Sequence, residues 1–191
     1  MKIKTIINDA IDVSKMNKAK MDKVANSKKS FEYGIYILLA PFVVNVVLAA
    51  LNGMTFFNLQ IKMFLLPLLT IVGMIFLMSL AAELIFKKKG DHKVFFRVLA
   101  YASIFSWLSV VPVFLSLIGL GEFFNLFNDV YLVTYLFVLV AAYHMLMSHY
   151  HLSKDNTIIV VVAGFVVFFL LQGILGNLLI GRFYSLGLMY F

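Results

Sequence analysis

Met63 to Phe86 reads MFLLPLLTIVGMIFLMSLAAELIF, with Glu83 its one charged side chain, and Lys87-Lys88-Lys89-Gly90-Asp91-His92-Lys93 follows directly. At about 1.5 Å of rise per residue, such a run crosses a hydrocarbon layer of about 30 Å as a helix, the form in which a segment satisfies its own backbone hydrogen bonds. Working outward, similar runs occupy about Phe31 to Leu51, Phe95 to Ile118, Val130 to Met147 and Thr157 to Ile180. The expected fold is all-α: a polytopic membrane protein of five transmembrane helices preceded by an amphipathic arm.

Composition agrees with this reading. The 191 residues are 63% hydrophobic and 13% charged, against about 45–50% and 25% in soluble domains. Without cysteine, disulfides, thiolate metal sites and thiol nucleophiles are closed as explanations. The net charge of +7 would point to nucleic acid in a soluble protein, but here the basic residues adjoin apolar spans and carry no nucleic-acid-binding motif. Anionic lipid is the expected partner instead.

Residues 1–30 form the most basic segment. Wound at about 100° per residue, Ile3, Ile6, Ile7, Ala10, Ile11, Val13, Met21 and Val24 share one arc, as in an amphipathic helix at a membrane surface. A domain division follows, with residues 1–30 as a basic arm and 31–191 as the five-span unit. A cleaved signal peptide is not expected, because the polar lead is long and the first apolar run has spanning length. With the arm in the cytoplasm, every lysine and arginine except Lys62 and Arg182 falls on that side. The positive-inside rule then puts the carboxyl terminus outside.

Polar residues within spans are few. Glu83 lies about one turn from the basic loop, where pairing with Lys87 at i+4 or with Arg97 is expected ahead of a proton or ion relay. Asn45, Thr70, Ser109, Gln172 and Asn177 read as scattered helix glue. Ala100, Ser103 and Ser106 advance by threes along the third span and read as a close-packing stripe, while Pro41, Pro67 and Pro112 predict bends. His144, His149 and His151 are the available metal or acid–base candidates, but zinc helices pair ligands three or four apart and His149 and His151 are two apart. No catalytic constellation, cofactor fingerprint or metal site is expected. Lys87, Lys88, Lys89 and Lys93 are the lipid- or partner-facing candidates, and Glu83, Arg97 and Tyr101 the intramembrane polar ones.

The segment Gly90-Asp91-His92-Lys93-Val94-Phe95-Phe96-Arg97-Val98-Leu99-Ala100-Tyr101-Ala102, with His151-Leu152-Ser153-Lys154 before the last span, resembles the Yip domain, the Ypt/Rab-interacting family, in its prokaryotic branch. The resemblance covers about residues 30–180. It implies five spans, a cytoplasmic arm and a prokaryotic cell membrane, and eukaryotic members are implicated in vesicle traffic and bind prenylated small GTPases. The arm lacks an Asp-Leu-Tyr-Gly-Pro motif and no proline follows Tyr101 closely, which speaks against carrying the GTPase partner over. The expected function is a non-enzymatic membrane scaffold or membrane-shaping protein, acting through helix–helix partners or self-association and a basic lipid-facing surface. The alternatives are a small solute, ion or proton transporter using Glu83, and a lipid-modifying membrane enzyme using the three histidines.

Overall fold

The computed structural model describes residues 3–51 and 57–180. The arm folds into two helices, α1 (Ile3–Ser14) and α2 (Lys18–Asn26). Their separation has a local cause. Met16 takes a left-handed φ of 60°, and the Asn17 side chain accepts the Lys20 N–H at 3.2 Å to start α2, as a short polar side chain does at a helix N-cap. The buried face is therefore only part of the apolar arc read from the sequence. Ala10, Val13 and Ser14 of α1, with Met21, Val24 and Ala25 of α2, are buried on the bundle, whereas Ile3 and Ile7 stay exposed. The break between the helices, together with the burial of Asp9, replaces a single helical register with two.

The five expected spans are present as helical segments long and apolar enough to cross a membrane. They are α3 (Ser30–Leu51), α4 (Phe57–Leu84), a composite third span from His92 to Leu117, α7 (Leu126–Ser148) and α8 (Lys154–Leu179). The chain is an integral membrane protein by this measure. Where the sequence puts the start of the second span at Met63, α4 is helical from Phe57 and carries Lys62 within it. Hydropathy marks only the apolar part of a helix, and a lysine near its end can extend its stem toward the interface.

The third span consists of α5 (His92–Ala102), a 3-10 segment (Ser103–Ser109) and α6 (Val110–Leu117). Pro112 cannot donate to the carbonyl four residues earlier, and the irregular segment lies immediately ahead of it. Helix α3 continues through Pro41 and α4 through Pro67. At three residues per turn, side chains spaced by three eclipse one another. Ser103, Ser106 and Ser109 thus line one face, and all three are buried where this segment meets α3 and α7.

Glycine sets the closest approaches. A Cβ on Gly34 of α3 would lie 3.0 Å from Ala100 of α5, and one on Gly164 of α8 only 2.6 Å from Met78 Sδ of α4. Helix α8 packs mainly on α4 and α7. Only 17% of its most apolar window is buried, against 56% for α4, so α8 stands at the rim and gives most of its surface to the surroundings.

Candidate functional site

Polar side chains converge where the arm, the α4–α5 connection and the α7–α8 connection meet. Helix α4 ends at Leu84, Lys87 adopts a left-handed φ of 51°, and the Lys88 N–H reaches the Ala82 carbonyl at 3.1 Å. That turn carries the chain back over the end of α4. Asp91 then starts α5 by accepting the Lys93 N–H at 2.8 Å.

The next residue, His92, is the hub. Its Nε2 lies 3.0 Å from Glu83 Oε2 and its Nδ1 3.0 Å from Ser79 Oγ. Glu83 therefore pairs with neither residue expected from the sequence. Lys87 has left the helical path by which an i+4 partner would sit over Glu83. Arg97 faces α2 instead, where Nη1 donates to the Ala25 carbonyl at 2.8 Å.

Serine, histidine and glutamate in contact are the residue types of an acyl-transfer triad, so the proton positions matter. Ser79 Oγ donates to the Phe76 carbonyl at 2.8 Å, which leaves it an acceptor toward His92. Ser79 is 2% exposed. The arrangement is a clamp between α4 and α5.

The second motif closes on the first. His149 Nε2 accepts the Asp91 N–H at 3.1 Å. Burial holds the His149 imidazole below its usual range despite Asp91, and His151 adds to the effect, which favours the neutral ring that can accept. Tyr150 is buried with its ring edge-on to Phe95, centroids 5.5 Å apart. A Cβ at Gly90 would lie 2.5 Å from Tyr150 Cδ1 and Cζ and closer still to Cε1. Glycine is required there by contact alone. Burial, with Glu83 and Asp91 nearby, pushes the Tyr150 hydroxyl up to about 12 despite its interaction with Ser79.

The remaining sequence candidates separate into three groups. Lys87, Lys88, Lys89 and Lys93 are exposed around this junction. Tyr101 is fully buried beneath the arm, its ring against Gly34. His144 lines a cavity of about 330 Å³ with Lys18, Met21, Asp22 and Met145 between α2 and α7, apart from the contact His149 makes. Among the described residues, no three His, Asp or Glu side chains gather as metal ligands do.

In the arm, buried Asp9 meets Lys20 at 2.9 Å and Lys23 at 2.6 Å. Burial alone would raise its carboxyl, but the hydrogen bonds and charges of Lys23 and Lys20 outweigh that and hold it below the usual 3.8. Ser14 Oγ adds a tie to the Ala102 carbonyl at 3.3 Å. Within the spans, Asn45 Nδ2 donates to Ser109 Oγ at 3.0 Å, and Ser109 reaches Tyr131.

Sequence reading missed Ser79, Asp91 and Tyr150. One signal was available, since Ser79 stands four residues before the acid of its own span and so shares its helix face. No protein-family model, curated protein or solved structure matches the chain.

Proposed function

We propose that the chain is a non-enzymatic membrane scaffold or membrane-shaping protein of Yip-like type, in a prokaryotic cell membrane with its arm end in the cytoplasm. It would act through neighbouring helices and a basic surface against anionic lipid. The observation that carries this is the unequal use of charge at the arm end. Asp9 is held by Lys20 and Lys23, Glu83 by His92, and Asp91 caps α5. Lys28, Lys29, Lys87, Lys88, Lys89, Lys93 and Lys154 stay exposed, with Asp22, Glu32 and Asp155 the exposed acids besides that cap.

Each lysine near an anionic leaflet contributes about 1 kcal/mol. Exposed Ile3 and Ile7 on α1 supply apolar anchors for the same surface, and apolar area and charge act together in interfacial binding. The engagement of Glu83 by His92 favours this reading over a coupling acid. The scaffold reading also supposes a membrane-protein partner or a second copy of the chain.

The test uses the full chain, with an environment-sensitive fluorophore on a cysteine at Ile3, in nanodiscs of phosphatidylcholine with or without phosphatidylglycerol. Emission should shift to the blue with phosphatidylglycerol, and the shift should fade as salt rises. A signal indifferent to both would refute the proposal. In right-side-out membrane preparations, single cysteines at the exposed Lys88 and at Asn125 should label from the inside and outside respectively.

A further inference from the structure

One groove on the lipid-facing side of the bundle is too small for a helix and lined throughout by apolar side chains. It lies between α3 and α4, is lined by Ile35, Leu38, Leu39, Leu68, Val72 and Phe96, and encloses about 260 Å³. The lining is wholly apolar. Phe96 reaches across from α5 and is held by Phe31, ring centroids 5.4 Å apart. A partner helix, about 10–12 Å across with its side chains, cannot enter a space of that size.

Its charged rim sits one to two helical turns nearer the arm end. Lys93 precedes Phe96 by three residues and shares its face of α5, and Lys28 and Lys29 stand exposed just before α3 begins. Glu32, exposed three residues before Ile35, is the acid on the same rim and is outnumbered there by Lys28, Lys29 and Lys93, and the Glu83–His92 pair lies beside it with His92 6.4 Å from Phe76. At about 1.5 Å per residue, Ile35 lies some 7 Å below the start of α3, the depth at which a chain leaves its glycerol when the phosphate is level with the lysines.

We propose that this groove binds one acyl chain of an anionic phospholipid whose phosphate is held by Lys93 and Lys29. The proposal rests on the reading of the arm end as the surface that faces anionic lipid, and assigns to it a discrete site. The apolar groove selects for a chain, and the lysines select for the charge above it.

The experiment places the full-length protein in phosphatidylcholine nanodiscs containing a trace of phosphatidylglycerol with a diazirine in its acyl chain, followed by photolysis and mapping of the adducts. Adducts should concentrate on Leu38, Leu39, Leu68 and Val72, and unlabelled phosphatidylglycerol should displace them at least tenfold better than phosphatidylcholine. Lys93→Gln and Lys29→Gln, both surface changes, should each weaken that displacement about fivefold while adducts stay in the groove. Val72→Trp should fill the groove and remove them.

Adducts spread evenly over α3, α4 and α8, or protein–protein crosslinks in place of lipid adducts, would overturn the proposal. So would equal displacement by both lipids. If that equality came with a charge-dependent arm signal, the groove would fail and the arm-end reading would stand; loss of both would sink both.

Discussion

Replacing Gly90 with alanine tests the junction of the two loops through a single methyl group. The added Cβ would lie 2.5 Å from two ring atoms of Tyr150, where carbon contacts settle at about 3.5–4.0 Å. Either the ring or the loop must retreat by more than an ångström. The ring is poorly placed to do so, being 1% exposed and edge-on to Phe95. The loop is therefore expected to move, taking the Asp91 N–H away from His149. Overpacking of this kind costs about 1–3 kcal/mol and the lost hydrogen bond about 1 more. At about 2–4 °C per kcal/mol for a chain of this size, thermal unfolding in detergent should fall by roughly 4–16 °C. Tyr150→Ala makes room for the methyl group, so its cost should shrink in the Gly90→Ala background, giving a coupling that a double-mutant cycle reads directly. Gly173→Ala is the control: nothing lies within 4 Å of its Cβ, and helix propensity should yield up to about 1 kcal/mol of stabilisation. Unchanged melting of Gly90→Ala, or additivity with Tyr150→Ala, would refute the packing of one loop on the other.

Three further outcomes are expected. Because Asp9 is held below its ordinary 3.8, its contribution is complete above the unfolded value and is lost as pH falls through the folded one; hydrogen-exchange protection in α1, taken relative to the intrinsic rate at each pH, should be high at neutral pH and fall below about pH 4, and Asp9→Asn should show the low protection at every pH. Lys87→Gly should relieve a left-handed residue, φ 51°, that costs about 1–2 kcal/mol without glycine, and raise the melting temperature by a few degrees once the added unfolded-state entropy is subtracted. Asn45→Ala removes the bond to Ser109, and since such pairs in lipid average about 0.6 and reach about 1.7 kcal/mol, it should lower melting by a few degrees without changing the helical content seen by circular dichroism.

The spans were legible because a long apolar run in lipid has few alternatives to a helix, and their order brought the lysine-rich loop and the arm to one end. Pair choice was less legible. An i+4 rule offered Lys87 to Glu83, but the rule holds only while the helix continues, and the chain leaves it before Lys87. The partner came from the returning loop as His92, a contact fixed by three-dimensional closure. Likewise the stripe from Ala100 to Ser106 was visible as spacing by threes, whereas the 3-10 winding that aligns Ser103, Ser106 and Ser109 depends on packing against α3 and α7. In the arm, Ala10, Val13, Met21 and Val24 of the apolar arc are buried while Ile3 and Ile7 are not, because a break at Met16 divides one apparent register into two.

Apolar helices gain little from one another in lipid, since hydrocarbon tails solvate them as well as a neighbouring leucine does. The arrangement of this bundle must then come from contacts that tails cannot imitate. Close glycine approaches are one kind, as at Gly34 on Ala100 and Gly164 on Met78; hydrogen bonds are the other. Among the described residues, inter-helix bonds within the spans include Asn45 to Ser109, Ser109 to Tyr131 and Tyr135 to the Pro67 carbonyl, while at the arm end they include Ser79, Glu83, His92, Asp91, His149, Arg97 and Ser14. Directional bonds there fix the relative positions of α4, α5, α7 and the arm, leaving the outer face of α8 free of such constraints. A lipid or partner acting at the arm end thus meets a surface whose shape is set by internal bonds. A perturbation of one of those bonds should alter how the lysines are presented before it alters whether the spans form.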